Sequence, residues 1–403
     1  MSYEHVALGD IFKITSGGTP SRRKPEFYEG GKIHWIKTGD LHNKYIESAS
    51  EFITQKGLNS SSTKLYPKGT VLIAMYGATI GACSILNMEA CTNQACAAFV
   101  PNERVNNQYL YYCLKFNKDN FVRAGAGGAQ PNISATFLKQ YKIPLPSLPI
   151  QKQIATVLEK ADTLRSQCQQ MEQELNSLAQ SVFLDMFGDP GLNPKQWPIK
   201  PIGETFEFLT DYHANGSYEI LRSHVELLEE PDFALMVRTT DLEKNNFTEG
   251  VKYITKEAYD FLTKTKVHGN EIIVNKIGSA GKVYLMPILN RPVSLAMNQF
   301  MIRLNEKVVL PEFMYYLLTS KFGEREIHAH VKGAVTKTIT KDALRSVELP
   351  IPPMSLQDDF VLALSKLNAL KEEASNEVEK LDKLFSSLMQ KAFKGELTLK
   401  DVA

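Results

Sequence analysis

The chain is poor in several features that would have assigned it at once to a large class. No apolar run among its 403 residues approaches the roughly 18 needed to cross a bilayer, so no membrane span is expected. The opening Met1-Ser2-Tyr3-Glu4-His5 has no basic and then apolar signal region, so export is not expected and the cytoplasm is the default compartment. Cysteine is scarce: Cys83, Cys91, Cys96, Cys113 and Cys168 are odd in number, all in the first half, and contain no Cys-x-x-Cys. That argues against a disulfide framework and against structural zinc, and leaves buried or incidental thiols. Net charge is nearly absent at +1, which taken alone speaks weakly against a nucleic-acid binder. With 43% hydrophobic and 23% charged residues, the composition excludes a disordered or collagen-like chain and suits two to four globular units.

The motifs of the common chemistries are missing as well. There is no Gly-x-x-x-x-Gly-Lys-Ser/Thr phosphate loop. Gly125-Ala126-Gly127-Gly128 continues as Ala129-Gln130-Pro131-Asn132, so it does not join a strand to a helix as a dinucleotide site requires. No His-Glu-x-x-His or Gly-x-Ser-x-Gly occurs, and His328 and His330 have no third ligand nearby in sequence. Glu-x-Lys, as in metal-dependent nucleases, and Asn/Asp-Pro-Pro-Tyr, as in amino-methyltransferases, are absent too. These absences shift weight toward a binding or scaffold protein.

What the chain does have is a repeat, and a repeat decides the architecture. Ile36-Lys37-Thr38-Gly39-Asp40-Leu41 matches Val237-Arg238-Thr239-Thr240-Asp241-Leu242 at an offset of 201. Gly81 matches Gly281, Asn93-Gln94 matches Asn298-Gln299, and Tyr111-Tyr112-Cys113-Leu114 matches Tyr315-Tyr316-Leu317-Leu318. Ile143-Pro144-Leu145-Pro146 matches Leu349-Pro350-Ile351-Pro352 at 206, and Gln151 matches Gln357. The order holds and the offset drifts by a few residues, so the chain is two copies of one unit.

Each copy begins with a mixed part. Strand-like runs at Thr70–Ala74 and Asn270–Val274 follow a glycine, and short helical stretches surround Tyr109–Phe116 and Pro311–Ser320. The tyrosine pairs read first as core packing. Each copy ends in a long helix of about 38 residues, or about 55 Å. In the first, apolar or small residues fall at Ile154, Val157, Ala161, Leu164, Cys168, Met171, Leu175, Leu178 and Val182. In the second they fall at Phe360, Ala363, Leu367, Leu370, Ala374, Leu381, Leu384 and Leu388, with Glu377 interrupting and Val378 beside it. Alternating steps of three and four are a coiled-coil signature. Two such stripes in one chain pair most simply with each other. Pro149 and Pro353 stand at the starts, Gly188 and Gly395 at the ends.

The resulting division is 1–148, 149–190, 191–353 and 354–403. By segment the first carries 16 basic against 10 acidic residues, the second 3 against 6, the third 20 against 20 and the last 7 against 9. The acidic helices would be poor partners for a polyanion, whereas the globular parts are neutral or basic.

Phosphate contacts need backbone N–H groups, short hydroxyls and cationic tips, and base edges are read by Arg, Lys, Asn and Gln. The turn-rich Ser16-Gly17-Gly18-Thr19-Pro20-Ser21-Arg22-Arg23-Lys24-Pro25 offers this mixture, with Lys37, Lys44, Asn93, Gln94, Arg123, Gln130 and Asn132 in the same copy. In the second copy the candidates are Asn215, Ser217, Arg222, Arg238, Lys244, Asn245, Asn246, Lys276, Lys282, Asn298, Gln299, Lys332 and Lys337. Asn93-Gln94 and Asn298-Gln299 have a structural alternative, because both copies retain them.

Two diverged globular parts alternating with two similar long helices resemble the DNA specificity subunit of type I restriction–modification systems. The resemblance runs over essentially the whole chain. Its most specific stretches are Ser16–Pro20 leading to His34-Trp35-Ile36-Lys37-Thr38-Gly39-Asp40-Leu41, and Pro144-Leu145-Pro146-Ser147-Leu148-Pro149-Ile150-Gln151-Lys152-Gln153-Ile154-Ala155. Pro350-Ile351-Pro352-Pro353-Met354-Ser355-Leu356-Gln357 keeps the proline-rich entry but continues Asp358-Asp359-Phe360. Asn215-Gly216-Ser217-Tyr218 is unlike Ser16–Pro20, so the two halves should read different DNA.

The resemblance implies an α+β chain of two target recognition domains, 1–148 and 191–353, each reading one half of a split, asymmetric site in double-stranded DNA. It implies that the helices form an antiparallel coiled coil that fixes the spacing. It also implies two modification subunits around the helices and two restriction subunits beyond them. S-adenosylmethionine, ATP and magnesium would belong to those partners, with no catalytic residue, cofactor or metal on this chain. A 55 Å helix equals about 16 base pairs of B-DNA, enough for half-sites about one turn apart. Two other readings stand beside this one: a protein-only helical scaffold, or a methyltransferase with an unrecognised active site.

Overall fold

A computed structural model describes residues 3–126 and 131–397. The chain forms two compact units, residues 1–170 with 374–403, and residues 171–373.

The first unit is built on a five-stranded sheet in the order Thr15–Ser16, Cys96–Phe99, Val71–Ala74, Cys83–Leu86, Tyr45–Ile46. Val71–Ala74 is the expected strand, and all four residues are buried. Val71 and Ile73 enter one core while Leu72 and Ala74 enter a second on the opposite face. A strand covered on both sides needs apolar residues at every position, which is why it reads as an unbroken apolar run. A four-stranded sheet (Glu51–Ile53, Ile33–Ile36, Ala90–Thr92, Leu65–Tyr66) and the pair His5–Ala7 with Lys142–Pro144 complete the unit.

The second unit repeats this plan. Its sheets are Phe206–Asp211, Gln299–Leu304, Ile272–Asn275, Val283–Leu285, and Lys252–Ile254, Ala234–Val237, Val293–Leu295, Lys266–Val267, with Ile199–Pro201 against Glu348–Pro350. Here too the central strand divides its side chains, Ile272 and Val274 to one core and Ile273 to another.

The helices expected around the tyrosine pairs run over Asn107–Phe116 and Pro311–Leu318. Tyr109, Tyr111 and Tyr112 are buried, so packing is their role. Asn106 caps the first helix by accepting from the Tyr109 N–H at 2.9 Å. The repeated glutamines secure each of these helices to the start of a long one. Gln151 accepts from the Asn106 N–H (2.9 Å) and donates to the Pro146 and Arg104 carbonyls (2.9 and 3.1 Å). Gln357 accepts from the Leu310 N–H (2.9 Å) and donates to the Pro352 and Val308 carbonyls (2.9 and 3.3 Å). Both side chains are fully enclosed.

The long helices span Leu148–Phe187 (40 residues) and Met354–Lys394 (41 residues). Gly188 and Gly395 follow them in the left-handed region. Within the first unit Ile154, Ala155, Leu158 and Ala161 share a core with Phe385, Leu388, Met389, Ala392 and Phe393. Within the second, Ala179, Phe183 and Phe187 share one with Phe360 and Leu364.

The inward stripe is out of phase with the expected one at every second position. It passes through Leu158, Arg165, Glu172 and Ala179 rather than Leu164, Met171 and Leu178, with Val157 half-buried beside Leu158, and through Leu364, Lys371, Val378 and Phe385 rather than Leu370, Glu377 and Leu384, with Ala363 half-buried beside Leu364. Leu164, Met171, Leu178, Leu370 and Leu384 are 44–52% exposed and are corrected to the outer face. The other expected positions, Ile154, Ala161, Cys168, Leu175, Val182, Phe360, Leu367, Ala374, Leu381 and Leu388, are buried or half-buried. The misleading residues are the charged ones inside. Arg165 bonds Asp382 (3.3 Å), lies 3.0 Å from Asp162 without hydrogen-bond alignment, and stacks 4.9 Å from the Phe385 ring centroid. A cation so placed packs its stem like an apolar residue.

Candidate nucleic-acid interface

The basic loop of the first unit separates into frame and free groups. Gly17 and Gly18 are buried because the chain passes too close for any side chain: a Cβ would lie 1.9 Å from the Thr92 carbonyl oxygen and 2.3 Å from Ser62 Oγ. Trp35 Nε1 donates to the Gly18 carbonyl at 3.0 Å, and Ser16 pairs with Ala97 in the sheet. Arg22 is committed, with Nη2 2.6 Å from Glu51 and its guanidinium over the Tyr28 and Trp35 rings at 4.5 and 4.9 Å. Lys37 holds the same carboxylate at 2.5 Å. The hydrogen bond from Lys37, then that from Arg22, brings the Glu51 carboxyl below its ordinary range against the opposing effect of burial. Arg23 has no partner among the described residues. Lys24 only overlies the buried Phe27, and Ser21, Arg23 and Lys24 are all exposed.

Several other candidates are corrected to structural roles. The repeated Thr-x-Asp-Leu segments are capping turns: the Asp40 and Asp241 carboxylates accept from the backbone N–H of Lys37 and Arg238, both at 2.8 Å. Arg238 is further locked onto Asp241 by two bonds of 2.6 and 3.1 Å. Lys44 is 15% exposed at its side chain, bound to Glu159 (2.6 Å) and the Tyr112 hydroxyl (3.1 Å). Asn215 spends its amide on Tyr212, Thr265 and Lys264. Ser217 caps the helix Tyr218–His224, and Asn245 and Asn246 form the turn after Thr239–Lys244. Gln299 is buried, and its amide in the orientation that satisfies both ends joins the Val237 carbonyl to the Thr239 N–H. Lys276 and Lys341 clamp the buried Asp211 at 3.0 and 2.9 Å. Burial alone would raise the Asp211 carboxyl, but hydrogen bonds from Lys341 and Lys276 and their charge hold it below its usual value. Gln130 lies outside the described residues.

Some of the remaining candidates lie at one end of the inner strands of the main sheet in each unit. In the first, Thr19 Oγ1 donates to the exposed Gln94 side chain at 2.5 Å, and Asn93 fixes that turn by accepting from Ala95 N–H. The Ala95 carbonyl accepts from Met75 N–H (2.8 Å), Tyr76 pairs with Asn132, and Gly77 N–H donates to Pro131 (2.9 Å). In the second, the Asn298 carbonyl accepts from Lys276 N–H (2.7 Å), Ile277 pairs with Thr338, and Gly278 N–H donates to Lys337 (3.2 Å). Gly77 and Gly278 turn the chain at φ +69° and +83°, where only glycine is unstrained. Beside these turns lie a cleft of about 560 Å³ lined by Tyr76, Pro131, Asn132 and Ser134, and one of about 620 Å³ lined by Gly278, Lys282, Tyr315, His328 and Lys337. Lys282 faces Glu243 at 3.7 Å and is half exposed. Arg222, Lys244, Lys332 and Lys337 are exposed with no side-chain partner among the described residues. Arg123 is exposed and bonds Asn120 at 2.7 Å.

Sequence reasoning missed the exposed apolar residues at these strand ends: Tyr76 (44%), Ile277 (36%), Met297 (43%) and Val335 (97%). Tyr76 and Ile277 lie two residues past the ends of the strands Val71–Ala74 and Ile272–Asn275 and read as their continuation. The signal was the glycine after each.

The arrangement suits binding an extended polyanion. Among the described residues no group of three or more His, Cys, Asp or Glu is placed to hold a metal, and no helix is long and apolar enough to cross a membrane.

A family model described as the type I restriction modification DNA specificity domain matches residues 2–177 and 194–380. The specificity subunit of the type I restriction enzyme MjaIX of Methanocaldococcus jannaschii is 27% identical over 98% of this chain and 93% of that protein. That of the Escherichia coli enzyme EcoR124I/EcoR124II is 32% identical over 40% of this chain and 41% of its own. Among solved structures, a chain from a study of complex assembly and conformational transition of the type I R-M system aligns at TM-score 0.61 with 15% identity, covering 98% of both chains. The S subunit from M. genitalium aligns at 0.59 with 16% identity, over 97% of this chain and 96% of that one. These two share the mixed helix-and-sheet fold.

Proposed function

This chain belongs to the family of type I restriction modification DNA specificity domains, and from that premise we propose that its two halves read the two halves of a split, asymmetric DNA site. It is a DNA specificity subunit of a type I restriction–modification system. The recognition domains are residues 1–148 and 191–353, and segments 149–190 and 354–403 pair as an antiparallel coiled coil that sets the distance between half-sites.

One observation carries the split reading. Both halves present the same end of the main sheet, held by equivalent backbone bonds at Tyr76–Asn132 and Ile277–Thr338, yet expose different side chains there. An equal frame with unequal tips suits two readers of unlike sequence. The contacts on DNA come from exposed groups: Thr19, Ser21, Arg23, Lys24, Gln94, Arg123 and Asn132 in the first half, and Arg222, Lys244, Lys282, Asn298, Lys332 and Lys337 in the second.

The chain specifies and does not catalyse. Two modification subunits carry S-adenosylmethionine, and two restriction subunits carry ATP and magnesium, in a cytoplasmic complex. The exposed Leu164, Met171 and Leu178, one heptad apart on the first long helix, are apolar surface for the modification subunits, since side chains at that spacing share one face.

The test is to map methylated sites in a genome expressing this chain with its modification subunit. The expected result is a bipartite sequence. Replacing residues 191–353 with the matching segment of a relative should change one half and leave the other intact. A change in both halves would refute independent reading.

A further inference from the structure

We propose that Tyr76 and Ile277 are the equivalent base-reading residues of the two halves, an inference that rests on the DNA-reading function above. Their equivalence is geometric. Each follows the central strand of the main sheet, each precedes a left-handed glycine, and each pairs through its backbone with the loop that lines the adjoining cleft. The next residue's N–H is bound in both cases, Gly77 to Pro131 and Gly278 to Lys337. The backbone is therefore fixed on both sides while the side chain is left outside.

That combination is unusual for these residue types. Isoleucine is among the residue types most often fully buried and tyrosine is intermediate, and the strands before both are buried throughout. Tyr76 is instead 44% exposed and Ile277 36% exposed. The Tyr76 hydroxyl makes no hydrogen bond among the described residues, although the neighbouring cleft is lined by Asn132 and Ser134. A rigid perch that holds an unsatisfied side chain outward prepays the ordering cost of a contact.

The two side chains differ in what they can recognise. Tyrosine offers a ring face and a hydroxyl that donates and accepts, so Tyr76 reads a base by hydrogen bonding or stacking. Isoleucine has only methyl and methylene groups, so Ile277 selects the 5-methyl group of thymine in the major groove. Lys337, whose carbonyl holds the adjacent turn, sends an unpaired ammonium from the same loop to the backbone phosphates.

The experiment uses the assembled complex with its modification subunit. First the methylated sequence is mapped for the wild type, Tyr76→Ile and Ile277→Tyr. Each substitution should alter one or two adjacent positions, the first only in one half-site and the second only in the other. Binding is then measured on duplexes in which each thymine of the second half-site is replaced in turn by deoxyuridine. One replacement should weaken the wild type about fourfold, the worth of one buried methyl group, and leave Ile277→Ala unaffected. Both sites are exposed, and co-purification with the modification subunit verifies that the variants fold. Unchanged sequences in the swaps, changes in both half-sites, or a thymine-free second half-site would overturn the assignment while leaving the DNA-reading function intact. A wild-type complex that binds no specific duplex would instead overturn the function on which the assignment rests.

Discussion

Arg22, Arg23 and Lys24 are consecutive, but the structure gives them different electrostatic starting points, and this yields a prediction that separates them. Arg22 is already neutralised. Its guanidinium lies 2.6 Å from Glu51 and covers two aromatic rings. Binding a phosphate there would break a pair to make one, with little net release of counterions. Arg23 is exposed without a partner among the described residues, so a phosphate contact there releases a full complement. Arg23→Ala should therefore lower the slope of log affinity against log salt by about 0.9. Between roughly 50 and 200 mM salt its affinity deficit should shrink about 3.5-fold, which follows from that slope. Arg22→Ala should leave the slope nearly unchanged. It should instead cost about 1 kcal/mol of folding stability, because an ion pair at a half-exposed guanidinium and its ring contacts are each worth only a fraction of a kcal/mol to about 1. Fluorescence titrations of the assembled complex on its own site at four salt concentrations measure the slopes, and thermal denaturation measures the stability. If Arg22→Ala flattens the slope and Arg23→Ala does not, the pair with Glu51 opens on DNA and the reasoning from committed charge is wrong.

Four further outcomes follow from the same structure. Gln151→Leu and Gln357→Leu should each cost about 2–3 kcal/mol in chemical denaturation, because each strands one buried and two part-buried backbone groups, while the methylated sequence stays the same. Leu158→Ala should cost about 2–5 kcal/mol as a core truncation, whereas Leu164→Ser should cost under about 0.5 and instead weaken co-purification with the modification subunit; equal losses of stability would restore the original phase of the stripe. Asp211 has a depressed folded-state value relative to the ordinary ~3.9, so its clamp contributes fully above that pH and is lost as pH falls below it; Asp211→Asn should cost about 1–3 kcal/mol at neutral pH and flatten the acid limb of the stability curve. Insertion of four residues after Gly188 should lengthen the spacer or abolish binding without changing either half-site, and an unchanged spacer at full affinity would refute the ruler.

The repeat was legible because the residues that repeat are the ones the frame cannot vary. Asp40 and Asp241 each accept from the backbone three residues back, and Gln151 and Gln357 each satisfy three backbone groups. The aspartate bonds are local and the glutamine bonds recur at nearly the same separations in both copies, so they leave identical residues at matching offsets. The long helices were legible for the same reason, since their length, entry and ends depend on periodicity, proline and glycine. The phase of their inner stripe was not. Arg165 and Glu172 stand at inward positions, while Leu164 and Met171, one residue earlier, point away; an apolar count prefers the latter pair. The candidate site was read least well because a side chain's commitment depends on partners distant in sequence. Lys44 meets Glu159 across 115 residues, and Lys276 meets Asp211 across 65. Nothing in the residue type marks Lys276 as clamped and Lys337 as free.

The division between frame and tip also explains how one fold can carry two readings in a single chain. Substitutions at exposed positions such as Tyr76, Ile277 or Arg23 shift stability by no more than about 0.5 kcal/mol. Substitutions in the frame, at Asp241 or Gln357, strand buried groups and cost several times as much. A bidentate contact to a base, however, changes discrimination by about 1–3 kcal/mol, and a buried methyl contact by about 0.8 kcal/mol. The tips therefore move specificity by more than they move stability, and the frame does the reverse. A chain built this way can change what each half recognises without re-solving its fold. The two halves differ in this way: Tyr76 stands against Ile277, and Asn132 against Thr338, on turns whose backbone bonds are the same.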